Sequence, residues 1–421
     1  MILVTGGLGF IGAHTAVTLL DNNFEVLIVD DLSNTSINVL DGIEKACGKR
    51  PHFEQIDLKD KTKVTQLFET YSFEGVIHFA AFKSVGESVE KPLAYYDNNL
   101  SSLINLLAVA EDQKRRIPFI FSSSCTVYGE PDHLPITENE PSKTALSPYG
   151  NTKQICEEIL ADLTKVNANI PVIALRYFNP IGAHASAEIG ELPLGIPQNL
   201  VPFITQSAAG IRGPITIFGN DYPTKDGTCI RDYIHVVDLG DAHVVALKHL
   251  NTHSDSPAFD VLNVGTGKGT SVLEIVQAFE RVTNVSLRYT IGERREGDVV
   301  ETYAPFRLRL LPTGSPSNST PCRTGIPVLP ALTSAGAGYR RQSLLQCRSS
   351  SPPHAVRSRG SPLSSSMRNG IRPLGIRRAG RRPPRVSNTP SRPSRYPSLQ
   401  EGRPILRRPA FPRSAVPPPA G

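Results

Sequence analysis

The sequence predicts an α/β protein: a doubly wound parallel sheet, a smaller α/β lobe after it, and then a disordered tail. Three observations carry this. Short apolar runs alternate with helical patterns, a glycine-rich turn follows the first run, and the composition changes abruptly after Ala304.

Ile2–Val4, Glu25–Asp30, Gly75–Phe79, Pro118–Phe121 and Val172–Leu175 read as buried strands. Between them, Gly12–Leu20, Lys61–Thr70, Leu100–Glu111 and Thr152–Lys165 carry helical periodicity. That β-α-β rhythm implies right-handed crossovers into one parallel sheet. After Asn179 the rhythm breaks into loops rich in Gly, Pro and Asn, at 180–195 and 210–227. A lobe built over the carboxyl edge of the sheet is expected there. The expected domains are 1–175, then 176–304 (partly interleaved with the first), then 305–421.

The formal net charge of +6 describes neither part of the chain. Residues 1–304 hold 24 Lys+Arg against 38 Asp+Glu, whereas 305–421 hold 21 Arg, no Lys and one acid, Glu401. The first part reads as an acidic globular protein long enough for a substantial core. It starts on a strand, with no basic segment or cleavage site of a signal peptide. No apolar stretch approaches the ~20 residues that cross a bilayer. Six cysteines without CxxC spacing fit free thiols. A cytoplasmic protein without a metal site or a membrane partner is expected.

Thr5-Gly6-Gly7-Leu8-Gly9-Phe10-Ile11-Gly12 follows a strand and opens a helix. A glycine turn alone would fit an ordinary loop. Here the next strand ends at Asp30, eighteen residues beyond Gly12. Glycines permit the turn and bring backbone N–H groups to a pyrophosphate at a helix N-terminus. The carboxylate can accept from a ribose diol and would repel a 2′-phosphate. The pair points to a Rossmann domain that binds NAD rather than NADP.

Ser147-Pro148-Tyr149-Gly150-Asn151-Thr152-Lys153 places Tyr149 and Lys153 four residues apart, on one helix face. By itself this spacing fits a solvated face. However, Phe119–Ser124 is a strand that ends in hydroxyls at the edge where ligands of this fold sit. An ammonium beside a phenol is expected to lower its pKa, making Tyr149 a base near neutrality with Ser124 alongside.

These residues resemble the extended short-chain dehydrogenase/reductases, and within them the UDP-glucose 4-epimerase family. The resemblance runs from Met1 to Ala304. It includes His78-Phe79-Ala80-Ala81-Phe82-Lys83, Tyr95-Tyr96-Asp97-Asn98-Asn99, Arg176-Tyr177-Phe178-Asn179-Pro180, Gly219-Asn220-Asp221-Tyr222-Pro223-Thr224, Arg231-Asp232-Tyr233-Ile234-His235 and Arg294-Arg295-Glu296-Gly297-Asp298. It implies a cofactor site of Gly6, Gly9, Phe10, Ile11, Gly12, Asp30 and Asn34, with Asp57 and Leu58 near the adenine. Phe79, Ala80, Ala81 and Lys83 would line the cofactor, and Asn98 would lie close to the pyrophosphate. Lys153 would bond the nicotinamide ribose and Phe178 would pack by the nicotinamide. The resemblance further implies that Ser124, Asn179, Asn199 and Leu200 contact the nucleotide sugar. Arg231 and Arg295 would neutralise its diphosphate and Asp298 would hold the uridine ribose. Two planar guanidinium forks suit phosphate oxygens in any case.

The implied reaction interconverts UDP-glucose and UDP-galactose, in galactose metabolism, by transient oxidation at C4 with Tyr149 as base. A sugar-nucleotide 4,6-dehydratase would want an acidic pair beside the hydroxyl, and Ser124 is instead followed by Cys125-Thr126-Val127. A nucleotide-binding or basic-tailed interaction protein without catalysis is the alternative, and the Ser-Tyr-Lys set argues against it. Thr302 aligns with the family's gate position, where a small residue would admit N-acetylated sugars. A homodimer through the helices containing Leu100–Glu111 and Thr152–Lys165 is implied.

After Glu301-Thr302-Tyr303-Ala304 the family pattern continues with Asp and an acidic helical segment. Here an Arg/Pro/Ser-rich run begins in mid-motif. A basic arm for nucleic acid would mix Lys with Arg, so nucleic acid is not the expected partner. The run lacks the apolar content for a core and is expected to be disordered. It reads as translation in a shifted frame, which would impair the activity of this chain. DNA sequencing across codon 304 is expected to reveal an insertion or deletion, and an uninterrupted frame would contradict this reading.

Overall fold

The structure is a computed structural model that describes residues 1–253, 257–295 and 297–305. The tail expected at 305–421 lies, from residue 306 on, outside the described residues. The first half alternates without exception up to β4: β1 (Ile2–Thr5), α1 (Phe10–Asp21), β2 (Val26–Asp30), α2 (Val39–Cys47), β3 (His52–Gln55), α3 (Lys61–Thr70) and β4 (Gly75–His78). Then come α4 (Val85–Glu90), α5 (Pro92–Asp112), β5 (Phe119–Ser124), α6 (Pro148–Val166) and β6 (Val172–Tyr177).

Local chemistry sets the helix starts. The Asp60 side chain caps α3 by accepting from Thr62 and Lys63 N–H. Ser147 caps α6 from Gly150 N–H, with Pro148 as the first helical residue. These caps fix where α6 begins, and hence where Tyr149 and Lys153 fall on it.

The second half is β7 (Asn179–Ile181), α7 (Leu200–Ala208), β8 (Ile215–Phe218), β9 (Ile230–His235), α8 (Val236–Thr252), β10 (Phe259–Val264), β11 (Gly269–Ser271), α9 (Val272–Thr283), β12 (Tyr289–Gly292) and β13 (Glu301–Thr302). Seven parallel strands form the main sheet, in the order β10-β6-β5-β4-β1-β2-β3. Strand order reverses at β1, which lies between β2 and β4. The carboxyl ends of β1 and β4 therefore open a crevice, the position where ligands of such sheets bind.

Both faces of the sheet are buried. Ile2, Val4 and Ile28 pack under α1 and α8, while Leu3, Leu27 and Val29 pack under α3, α5 and α6. Side chains alternate between faces along a strand, so one short apolar run feeds two cores. The sequence expectation of a loop-rich lobe after Asn179 misses one return: residues 236–264 come back to supply α8 and the edge strand β10. The lobe proper holds a small sheet around β9 and the separate pair β8–β12, with its own core of Ile204, Ile217, Ile275 and Phe279.

Three histidines lie in the main core. His14 and His243 each donate Nδ1–H to the carbonyl one turn back, Phe10 and Leu239, at 2.7 Å. A carbonyl only accepts, so Nε2 carries no proton, and in both rings it is buried without a hydrogen-bond partner. His78 pairs with Thr5 Oγ1 at 2.7 Å. Burial pushes His14 and His78 down to about 3 and His243 to about 4. Their folded pKa values thus lie below the unfolded value, and the unfolded chain takes up protons first as pH falls. Stability is fully present above about pH 6.5 and declines towards pH 4, by about 2 kcal/mol per histidine at pH 5. Urea titrations at pH 7 and pH 5 are expected to show this loss, and equal unfolding free energies would contradict it.

Candidate active site

A cavity of about 450 Å³ occupies the crevice at the strand reversal. Its floor is the β1–α1 turn. Gly6 has φ +65°, and a Cβ there would lie 2.7 Å from Ala80 N. A Cβ on Gly12 would overlap Gly6 O, so α1 starts directly against the turn. Gly9 takes the N-cap position without a side-chain hydrogen bond, and Phe10, Ile11 and Gly12 line the cavity. The first N–H groups of a helix have no intrahelical partner and carry partial positive charge. The turn can therefore hold an anion close to backbone.

Asp30 closes one end. Its oxygens accept from Leu8 N at 3.1 Å and Leu32 N at 3.0 Å, which orients the carboxylate, and burial pushes its pKa up. The remaining lone pairs can accept from a hydroxyl pair. Asn34, Asp57, Leu58, Phe79, Ala80, Ala81, Lys83, Asn98, Tyr149 and Lys153 line the same cavity. Of the predicted cofactor residues only Phe178 does not. It is buried beside Val127, Tyr128 and Ile136.

The cavity's far wall carries Tyr149 and Lys153. Lys153 Nζ donates to Ser122 O at 2.8 Å and lies 4.8 Å from the centre of the Phe121 ring. The Tyr149 hydroxyl is close enough to Ser124 to be influenced by it, and Ser124 Oγ accepts from Thr126 N at 3.3 Å. One sequence expectation is corrected here. Burial, the largest influence, pushes the Tyr149 hydroxyl up, with Tyr177 adding to it and Ser124 opposing. Burial also pushes Lys153 down to about 8. The protein alone does not lower the phenol, because desolvation disfavours the charged form of both partners. A further positive charge in the cavity would favour the phenolate.

The lobe supplies a second cluster. Arg295 donates from Nε and Nη2 to the two oxygens of Asp298, at 2.9 and 3.1 Å. Arg231 Nη2 lies 3.5 Å from Asp298 Oδ1, so both arginines converge on one carboxylate. Asn179 starts β7, and Leu200 starts α7 with Asn199 at its N-cap. The Asn199 side chain does not cap the helix; it bonds Glu191, which Lys83 Nζ also reaches at 3.4 Å. Thr302 is buried in β13, paired with Arg231 of β9. Among the described residues, no group of His, Cys, Asp and Glu could hold a metal ion.

Sequence reasoning missed Ser122 and Tyr177, hydroxyls 2.6 Å apart that line the cavity. It also missed the loop around Glu188–Leu194, which forms another wall. The alternation of Phe119–Ser124 was a signal for Ser122, because Ser122 and Ser124 share a strand face. No spacing in the sequence points to the loop.

Fold and site define a class: an α/β protein whose Tyr149 and Lys153 line a glycine-floored crevice, with Ser124 at the end of the neighbouring strand but outside the lining, as in the short-chain dehydrogenase/reductases. The family model described as GDP-mannose 4,6 dehydratase matches residues 3–306. UDP-glucose 4-epimerase 1 of Oryza sativa subsp. japonica is 49% identical over 306 residues, 72% of this chain and 86% of that protein. UDP-glucose 4-epimerase uge1 of Schizosaccharomyces pombe is 48% identical over 72% and 85% of the two chains. The crystal structure of UDP-glucose 4-epimerase from Bifidobacterium longum in complex with NAD+ and UDP superposes with a TM-score of 0.74 at 38% identity. That match covers 81% of this chain and 98% of the other. The enzyme from Stenotrophomonas maltophila, with bound NAD and formylated UDP-arabinopyranose, gives 0.73 at 41% identity, covering 82% and 99%. The chain belongs to the UDP-glucose 4-epimerase family.

The last described residues are firmly seated. Ala304 is fully buried, and Tyr303 O accepts from Ile136 N at 2.8 Å. Asp232, also fully buried, accepts from Thr266 N and Oγ1, Gly267 N and Ala304 N. Asp232→Ala would strand these donors in the core. It is expected to lower the unfolding free energy by about 3 kcal/mol in urea titration, and a loss below about 0.5 kcal/mol would contradict the hub role.

Proposed function

We propose that residues 1–304 bind NAD in the glycine-floored cavity and interconvert UDP-glucose and UDP-galactose by transient oxidation at C4 of the hexose. The observation that carries this is one cavity lined at one end by Gly9–Gly12 and Asp30 and at the other by Tyr149 and Lys153. The residues fit the dinucleotide: the crowded glycines leave backbone N–H groups for a pyrophosphate, and Asp30 accepts from the adenosine ribose diol. When bound, NAD supplies the hydride acceptor, and its nicotinamide charge is the further positive charge that favours the Tyr149 phenolate.

The chain's own groups do the rest. Lys153 would hold the nicotinamide ribose, while Phe178 lies behind the cavity lining, packed with Val127 and Tyr128. Ser124 would hydrogen-bond the sugar hydroxyl beside Tyr149. Tyr149 takes the proton from the 4′-hydroxyl as C4 is oxidised, and returns it once the keto sugar has presented its other face. Arg231 and Arg295 exchange their shared partner Asp298 for the diphosphate, leaving Asp298 to the uridine ribose. Asn179, Asn199 and Leu200 contact the sugar.

We read the protein as a cytoplasmic homodimer that works in galactose metabolism. No helix among the described residues is long and apolar enough to cross a membrane. The α5–α6 face supports dimerisation, since Leu93, Ile104 and Val166 are exposed on those helices. The Arg/Pro/Ser-rich continuation is read as lowering turnover, because it replaces the acidic helical segment expected after Ala304. Tyr149→Phe is expected to lower kcat for UDP-galactose by about 10²–10⁴-fold in a coupled assay, with KM little changed. Activity within twofold of the unaltered chain would contradict the role of Tyr149.

A further inference from the structure

We propose that Glu157, with Arg176 and Ser123, is the positioning element that fixes α6 against β5 and so sets where Lys153 and Tyr149 point. The proposal rests on the roles given to those two residues above. Glu157 follows Lys153 by four residues and Tyr149 by eight, so the three share a helix face about one and two turns apart. Arg176 of β6 grips the Glu157 carboxylate with both arms, Nε to Oε1 at 3.0 Å and Nη2 to Oε2 at 2.5 Å. Ser123 Oγ donates to the same Oε1 at 2.5 Å.

The cluster extends across the sheet. The Arg176 guanidinium lies 4.7 Å from the centre of the Tyr128 ring, and Tyr128 Oη donates to Asn263 Oδ1 of β10 at 2.7 Å. Both charged side chains are less than a tenth exposed. Side chains alternate along a strand, so Ser123 faces α6 while Ser122 and Ser124 face the reactive side. The two polar contacts from α6 to β5, Lys153 to Ser122 and Glu157 to Ser123, therefore fall on adjacent residues immediately before Ser124.

Stability does not account for this arrangement. Taking two charges out of water costs about what their attraction returns, and apolar replacements are often neutral or stabilising. A bidentate fork nevertheless has one geometry, whereas apolar packing tolerates small slides. Displacement of a reacting group by about 1 Å can cost about a hundredfold in rate. The Glu157 charge also pushes Lys153 back up against burial, which keeps the ammonium available to a ribose hydroxyl.

The test separates positioning from stability. The variant Ser123→Ala/Glu157→Leu/Arg176→Met removes the cluster and leaves no buried donor behind. In the full chain it is expected to melt within about 3 °C of the unaltered protein or above it. Its affinity for NAD, read by calorimetry, should weaken about tenfold, and kcat should fall about a hundredfold with KM for UDP-galactose within threefold. Unaltered NAD affinity and kcat in a variant that keeps its melting temperature would overturn the proposal. Should the triple variant fail to fold, Glu157→Asp keeps the charge but shortens the reach by one methylene. It is expected to lose at least about tenfold in kcat at unchanged KM, and parent-like kcat would overturn the proposal equally. Failure of the unaltered chain to bind NAD would overturn both this inference and the function beneath it.

Discussion

A side chain at position 6 would bring its Cβ to 2.7 Å from the amide nitrogen of Ala80, and much of the molecule follows from that exclusion. The ends of β1 and β4 approach so closely that only backbone fits between them. With φ +65° at Gly6, the chain turns sharply enough for α1 to start at Phe10. The helix N-terminus therefore faces the crevice created by the strand reversal, instead of solvent. The wall opposite is set by the same sheet two strands away, where β5 ends in Ser124 and α6 begins at Pro148.

The two ends of the site handle charge differently. In the main domain it is held by burial and fixed hydrogen bonds: Asp30 by two backbone amides, Lys153 by a carbonyl and a ring. Burial there works against ionisation of the Tyr149 phenol, and positive charge placed beside it would work the other way. In the lobe, Arg231 and Arg295 share the single carboxylate of Asp298, which leaves one positive charge in excess, and Arg295 is half exposed. The excess positive charge favours an anion there, and the half-exposed Arg295 contributes little to stability through its pairing.

Much of this was legible in the residues. Apolar runs such as Ile2–Val4 and Val172–Leu175 mark strands because both sheet faces are covered, and Lys61–Thr70 was read to the residue. The edge strand His52–Gln55 carries no such run, because it is polar and only half-buried. Tyr149 and Lys153 were placed by local spacing, whereas the direction of their pKa shifts depends on burial, which only the assembled fold determines. Glu191 joins Lys83 to Asn199 through a loop whose path no local pattern encodes. Glu157 carries no motif of its own, since its partners Ser123 and Arg176 lie 34 and 19 residues away in sequence.

The central claim is that C4 of the hexose is oxidised and reduced within one closed site, the same hydrogen leaving and returning. UDP-galactose carrying deuterium at C4, incubated with the full chain and NAD, tests it directly. The account predicts that mass spectrometry finds the label retained at C4 of the UDP-glucose formed, and none in water. Washout of the label, or its recovery at another carbon, would contradict it.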